Sequence, residues 1–383
     1  MSLSTTPTNA RYFQPIASLG LAGAEIAAFD PGTDRLFVTS SGGVQVVDLS
    51  NPAAPVLITT LDLTAAPYGF ATTDVTSVAV KNGIMAIALP DADKASNGQV
   101  VFLDAATNTL LGAATVGVLP DNLTFTPDGT KVLTANEGEY LDDGTPGGKG
   151  SVSIIDISGG IGAATVQTAG FTAFDGQEDA QRAAGVRIFA GNAVSDDVEP
   201  ECVAVSPDGT KAMVTLQEAN AVGLLDIATA TFTAIVPLGL KDFSALLADF
   251  SDRDSTSGGA AINLTTGNPV FGMYMPDAIA AYAAGGETFY VMANEGDDRD
   301  DFLAPDETIR LGNSGYDLDD AIFPNEAALK SNAELGRLTV SNAPGDTDGD
   351  GDIDQILAYG AGPSRSATPT ATSSSTAATS WSG

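Results

Sequence analysis

Apolar and polar residues recur along this chain in short bursts rather than at helical spacing, and the bursts repeat as one three-part unit. An acidic residue opens a first strand, a second strand follows a turn, and a third ends in two apolar residues and Asp. The first unit runs from Glu25 through Arg35–Thr39 to Val46-Val47-Asp48, and the second from Asp74 through Ile84–Ile87 to Phe102-Leu103-Asp104. The third opens at Pro120-Asp121, turns at Pro127-Asp128-Gly129 and closes on Ile154-Ile155-Asp156. The fourth opens at Pro200-Glu201, turns at Pro207-Asp208-Gly209 and closes on Leu224-Leu225-Asp226. A fifth opens at Pro276-Asp277, turns at Gly285-Gly286 and continues through Phe289–Met292.

The predicted strands are β-branched or aromatic and are bounded by Gly, Pro, Asn and Asp. In Pro-Asp-Gly, Pro presets φ and Gly accepts a positive φ, so the turn between first and second strands is a tight hairpin. One such unit cannot bury both its faces. A repeat of roughly 45 to 80 residues with four-stranded content therefore predicts an all-β fold, a β-propeller, in preference to a solenoid or a β-sandwich. Its predicted span is 12–362, after a polar segment at 1–11 and before a Ser, Thr and Ala-rich tail at 363–383 that reads as disordered. Between the third and fourth units, Ala173–Gly185 carries acidic residues early, Arg182 late and a terminal Gly, which predicts a short helical insertion.

In a propeller the first strands line the central channel, so their opening residues converge at one mouth: Glu25, Asp74, Asp121, Glu201 and Asp277. The second strands end in a matching acidic element, in Asn136-Glu137-Gly138-Glu139, Gln217-Glu218-Ala219-Asn220 and Asn294-Glu295-Gly296-Asp297-Asp298. Glu137, Glu218 and Glu295 thus join the expected mouth, although turn chemistry alone also accounts for these segments. Like charges held together raise one another's pKa unless a cation intervenes, and oxygen-only ligands point to calcium or magnesium. A second constellation, Asp346, Asp348, Asp350, Asp352 and Asp354, alternates carboxylates on a Gly-punctuated loop like the first half of a calcium loop. Its twelfth position is Leu357, so the bidentate Glu of an EF-hand is missing. Ser251-Asp252-Arg253-Asp254 is a lesser candidate.

Composition narrows the chemistry further. Forty-nine acidic and sixteen basic residues give a formal charge of −33, which repels nucleic acid and anionic membranes and attracts divalent cations. The chain has no His, which removes Ser-His-Asp and Cys-His catalysis and His-ligated zinc together. The single Cys202 lies in an apolar strand pattern and reads as an inert thiol. No run of about 18 apolar residues predicts a membrane span, and Met1–Arg11 lacks the apolar core of a signal peptide.

These motifs together resemble the choice-of-anchor I family of secreted or cell-surface propellers, which includes proteins similar to mesenchyme-specific surface glycoproteins and to atypical alkaline phosphatases. The resemblance runs through Pro120-Asp121-Asn122 with Asn136–Glu139, Phe174–Asp179, Glu199-Pro200-Glu201 and Lys241-Asp242 with Ser251–Asp254. It continues through Asn294-Glu295-Gly296 with Arg299-Asp300, and through Gly336-Arg337-Leu338 to Tyr359-Gly360. It implies a seven-bladed propeller, export and, in some members, phosphatase activity. Phe243 stands where the family tends to have His after Lys-Asp, and the last blades of the family pattern are missing. Back-translated with plausible GC-rich codons and with two bases dropped, Ala367–Ser382 can be read as an Asp-Ala-Asp-Gly strand–turn–strand of the family type, so the expectation is an incomplete propeller ended by a frameshift near Pro363. The functional expectation is an extracellular or cell-surface calcium-binding domain for a phosphorylated or matrix ligand. The alternative is a metal-dependent phosphoesterase using cations held by the mouth carboxylates.

Overall fold

In the computed structural model of the chain, residues 15–141, 143–299, 307–343 and 345–361 are described, with the backbone of Arg365–Ala367. The four complete repeat units each form a four-stranded antiparallel sheet whose strands follow one another in chain order. The first contains β1 (Ala27–Asp30), β2 (Arg35–Ser40), β3 (Gly43–Asp48) and β4 (Val56–Leu61). The second contains β5 (Ser77–Lys81), β6 (Ile84–Leu89), β7 (Asn97–Asp104) and β8 (Leu110–Val118). The third contains β9 (Pro120–Phe125), β10 (Lys131–Asn136), β11 (Ser151–Asp156) and β12 (Thr165–Gly170). The fourth contains β13 (Pro200–Val205), β14 (Lys211–Leu216), β15 (Ala221–Asp226) and β16 (Thr231–Pro237). The first strands β1, β5, β9 and β13 pack side by side in that order. This is the radial arrangement of propeller blades.

The second, third and fourth blades are covered on both faces, which explains their nearly continuous apolar strands. In β6, Met85, Ile87 and Leu89 face a core shared with Phe37, Val44 and Val46 of the first blade. The alternate residues Ala86 and Ala88 face a second core, shared with Leu123, Phe125 and Val132 of the third blade. In β14, Ala212, Val214 and Leu216 likewise join Leu133, Val152 and Ile154, while Met213 turns the other way. Alternation with a period of two thus feeds two hydrophobic layers, and burying both sides of a strand selects apolar residues throughout.

Beyond the fourth blade the chain departs from the repeat. β17 (Leu240–Asp242) and β18 (Val270–Met273) are followed by the hairpin β19 (Pro276–Ala284) and β20 (Glu287–Asn294), turned at Gly285-Gly286 as expected. β19 packs beside β13, so this hairpin is the inner part of a fifth blade, and its third strand is β24 (Arg365–Ala367) from far downstream. In between, β21 (Thr308–Arg310), β22 (Thr339–Ser341) and β23 (Ile356–Ala358) join β17 and β18 in a five-stranded mixed sheet, with β18 and β23 parallel. The sheet packs around Tyr316, Leu318, Phe323 and Ile356. Sequence periodicity missed it because strands of three or four residues separated by long loops carry no repeating pattern.

The helical insertion is present as α1 (Glu178–Ala184), ended by Gly185 at φ 103°, where a left-handed cap favours Gly. Two further short helices, α2 (Val194–Asp197) and α3 (Glu326–Leu329), were not read from the sequence. Val186, Ile188, Val194 and Val198 pin the insertion into the core between the third and fourth blades. The polar segment 1–11 and the tail, apart from the backbone of Arg365–Ala367, lie outside the described residues, as does the frameshift region near Pro363. No helix among the described residues is long and apolar enough to cross a membrane.

Candidate metal-binding cavity

An antiparallel hairpin sets the start of a first strand beside the end of the second, so both acidic elements of each unit fall at the same end of the blade. In the third, fourth and fifth blades they meet in one cavity of about 570 Å³. Asp121, Glu201 and Asp277 reach it from the starts of β9, β13 and β19. Glu137, Glu218 and Glu295 reach it from the ends of β10, β14 and β20. Glu139, Glu199, Asp297 and Asp298 complete ten carboxylates in the lining, and Arg299 is the one basic side chain among the described lining residues.

Three local features aim the first-strand acids inward. Each of the three strands begins with Pro, which has no N–H to place in the ladder and is tolerated at a strand start. The residue before each Pro, Leu119, Glu199 and Met275, has a positive φ of 50°, 33° and 44°, a conformation that costs a side-chain-bearing residue on the order of 1–3 kcal/mol. Directly after each Pro the register with the second strand shifts by one residue, at Asp121-Asn122, Glu201-Cys202 and Asp277. A bulge of this kind re-aims the side chain it carries.

The Asn residues and glycines of the second elements brace this geometry rather than face the cavity. Asn136 Oδ1 accepts the Gly117 N–H at 3.1 Å while its amide donates to Ser151 and Ser153. Asn220 Oδ1 accepts the N–H groups of Tyr274 and Met275 at 2.9 and 3.1 Å. Gly138 and Gly296 have φ of 68° and 89°, and a Cβ on Gly296 would fall 2.3 Å from the Gly360 nitrogen. The turn-chemistry reading therefore holds for Asn136, Asn220, Gly138 and Gly296, while the neighbouring Glu137 and Glu295 line the cavity.

Crowding dominates the electrostatics. Burial, followed by the charges of Asp277 and Glu25, pushes Asp121 up to about 7. Glu137 and Glu201 are raised well above the usual carboxylate range, first by burial and then by their acidic neighbours. Burial pushes Glu218 up to about 7 against the pull of Arg299. Asp277 is raised by burial, although a hydrogen bond with Glu295 opposes this. Carboxylate oxygens of Asp121, Glu137 and Glu201 lie within 4.8 Å of one another, close enough to bind one cation together.

Beneath the cavity Arg299 is fully buried and lies over the Phe189 ring at 4.8 Å. Its Nε is 3.4 Å from Glu199, its Nη2 donates to the Asp197 carbonyl, and its backbone N–H donates to Glu307. Arg187 pairs with Glu307 and donates to the Glu218 carbonyl at 2.6 Å. Glu199 Oε1, Glu218 Oε2 and Arg299 Nη1 are buried with no hydrogen-bond partner. Arg299 stood in a quoted motif and reads from the sequence equally as a basic group for phosphate or as an ion-pair partner, whereas Glu139 and Glu199 were missed as lining residues although both also stood inside quoted motifs. Arg187 and Phe189, supplied by the insertion, carried no repeat signal.

Two expected mouth residues lie apart from this group. Glu25 is exposed ahead of β1 and does not line the cavity, although its charge reaches Asp121. Asp74 lies in a separate cleft of about 210 Å³ beside Asp62, Thr64 and Thr72. Both acids precede their strands and neither first strand begins with Pro, although Glu25 and Ile26 do form a bulge, since Thr39 donates to the Ile26 carbonyl and accepts from the Glu25 N–H.

The aspartate loop divides in two. Asp346, Asp348 and Asp354 bring carboxylate oxygens within 4.8 Å of one another, whereas Asp350 and Asp352 do so with Asp319, which the sequence pattern did not single out. The Asp346 carboxylate also accepts the N–H groups of Gly349 and Gly351 at 2.6 and 3.0 Å. Ser251–Asp254 is engaged in a surface pair in which Arg337 donates to Asp252 at 3.0 Å. Phe243 stacks edge-on against Phe250. The half-buried Cys202 thiol is pushed up to about 11 by burial, so it stays protonated at neutral pH.

The choice-of-anchor I domain family matches residues 25–368. No curated protein matches the chain. Among solved structures, a nidogen/laminin complex aligns at 14% identity and TM-score 0.34, over 56% of this chain and 63% of that one, less than two thirds of its length. Hydrazine synthase of Kuenenia stuttgartiensis aligns at 13% identity and TM-score 0.36, over 71% and 80%. Apo AztD of Citrobacter koseri aligns at 15% and 0.33, over 56% and 47%.

Proposed function

This chain belongs to the choice-of-anchor I domain family, and we propose that it serves as the β-propeller of a cell-surface or secreted protein, one whose acidic cavity holds calcium and, through it, an anionic ligand. The observation that carries this reading is the convergence of Asp121, Glu137 and Glu201 from three different strands onto one point. Without a cation, folding presses together carboxylates that repel one another in a partly dehydrated space. A divalent ion replaces that repulsion with attraction. Calcium suits the cavity because it accepts six to eight oxygens in flexible geometry, whereas magnesium retains much of its water. The aspartate loop, with Asp319, is the second calcium candidate of the reading. A phosphorylated or matrix ligand would add its own oxygens to the ion.

The unpartnered Nη1 of Arg299 favours a second reading, a metal-dependent phosphoesterase in which ion and guanidinium together polarise a phosphoryl group. One set of samples tests both. Calcium should raise the melting temperature of the purified chain, and Glu201→Gln should remove most of that rise. A melting temperature indifferent to calcium sinks the cation reading. Calcium-dependent turnover of p-nitrophenyl phosphate, lost in the same variant, would establish the enzyme.

A further inference from the structure

Asp121, Glu137 and Glu201 account for one cation, but the inner wall of the cavity presents acceptors that this cation does not satisfy. Glu218 is 5% exposed and Glu199 is 4% exposed, and Oε2 of the first and Oε1 of the second have no hydrogen-bond partner. Both residues line the cavity. The two nearby guanidinium groups make no hydrogen bond to either of these oxygens. Arg187 gives Nη1 to the Glu218 carbonyl, leaving the carboxylate untouched, and gives Nη2 to Glu307. Arg299 turns its Nη2 to the Asp197 carbonyl and its Nε toward the other oxygen of Glu199. A buried carboxylate oxygen left without a donor or an ion is expensive to desolvate. Folding therefore leaves both acceptors unmet at this wall, and the Nη1 of Arg299 is a lining donor that meets neither of them.

We infer that the cavity binds two divalent cations, one held by Asp121, Glu137 and Glu201 and a second held against the inner wall by Glu218 and Glu199. The inference rests on the proposed calcium-binding reading and deepens it. Ten carboxylates exceed what one calcium coordinates, since six to eight oxygens fill its shell. Paired ions elsewhere stand about 3.5–4 Å apart and share bridging oxygens, and a cavity of about 570 Å³ has room for that pair with water between its walls.

The test counts ions. A variant with Asp348→Asn, Asp350→Asn and Asp352→Asn first removes the separate aspartate loop from the count, leaving Asp346 and Asp354 to hold their backbone hydrogen bonds. Equilibrium dialysis of this protein against radioactive calcium should find two ions per chain, and adding Glu218→Gln should leave one. A single ion that Glu218→Gln does not change overturns the second site while the proposed function stands. Two ions that both survive Glu218→Gln overturn the assignment to this wall. An empty cavity overturns both readings. Should Glu218→Gln fail to fold, Glu199→Gln replaces it with the same expected loss of one ion.

Discussion

The first two blades and the last three are built from one repeat, yet only the last three contribute to the acidic cavity. β1 and β5 begin without Pro and without a left-handed residue before them, and the acids ahead of them, Glu25 and Asp74, stay outside. β9, β13 and β19 begin with Pro, follow a left-handed residue and carry a bulge, and their acids point inward. An acidic residue at a strand start is thus insufficient. The inward turn goes with a left-handed residue followed by Pro, and the strain of that residue is a cost that the surrounding structure sustains in these three blades.

The largest expected effect breaks the distorted half directly. Gly296→Ala should destabilise the chain by about 3 kcal/mol or more, because the new Cβ meets the Gly360 backbone at a positive φ. Gly83→Ala in the second blade has a similar φ of 77° and open space around it, and should cost about 1 kcal/mol. Denaturant titration of the two variants measures the contrast. A Gly296→Ala loss no greater than that of Gly83→Ala would remove the claim that the bulged blades are sterically committed.

Acidity separates the two regions next. Asp121 and Glu218 titrate near 7 in the folded chain, against about 4 when unfolded. Between these values the folded state holds more protons, so the stability these groups contribute is full below about pH 4 and is lost as pH rises through about 7. Cation-free protein should melt several degrees lower at pH 8 than at pH 5.5, and saturating calcium should flatten that slope. The turn aspartates behave oppositely: Lys211 holds Asp226 down to about 2, so its contribution is lost only in strong acid. Melting scans with and without chelator read both trends, and a chelated protein that gains stability toward pH 8 contradicts the electrostatic account.

The smallest effect sharpens the comparison. Asp121→Asn should weaken calcium binding about tenfold, equivalent to about 1.4 kcal/mol, while Asp74→Asn should leave it within about twofold. Calorimetric titration compares them, and equal losses would mean that the second-blade cleft contributes to the site.

Much of this was legible beforehand because strands announce themselves locally. The repeat located all four complete blades and the fifth hairpin, and the charge order of Ala173–Gly185 predicted a short helical insertion, of which Glu178–Ala184 forms α1 with Gly185 as its left-handed cap. The mixed sheet was illegible because β18 and β23 pair in parallel across a long stretch of chain. Glu199 was quoted only as part of a motif. Its role as a buried, half-unpartnered wall residue follows from Arg299 and Phe189 packing beneath it, which no spacing in the chain expresses.

The alternation of apolar and polar positions, punctuated by Pro, Gly and Asp, by itself determined that this chain forms antiparallel blades and that acids gather at one end of each. Those are consequences of hairpin geometry and of a period of two, and both act over a few residues. Only the tertiary structure decided which acids share a cavity and which oxygens remain without partners. That outcome depends on bulges and on blade-to-blade packing, where residues distant in the chain meet and where burial, rather than composition, determines what a charge costs.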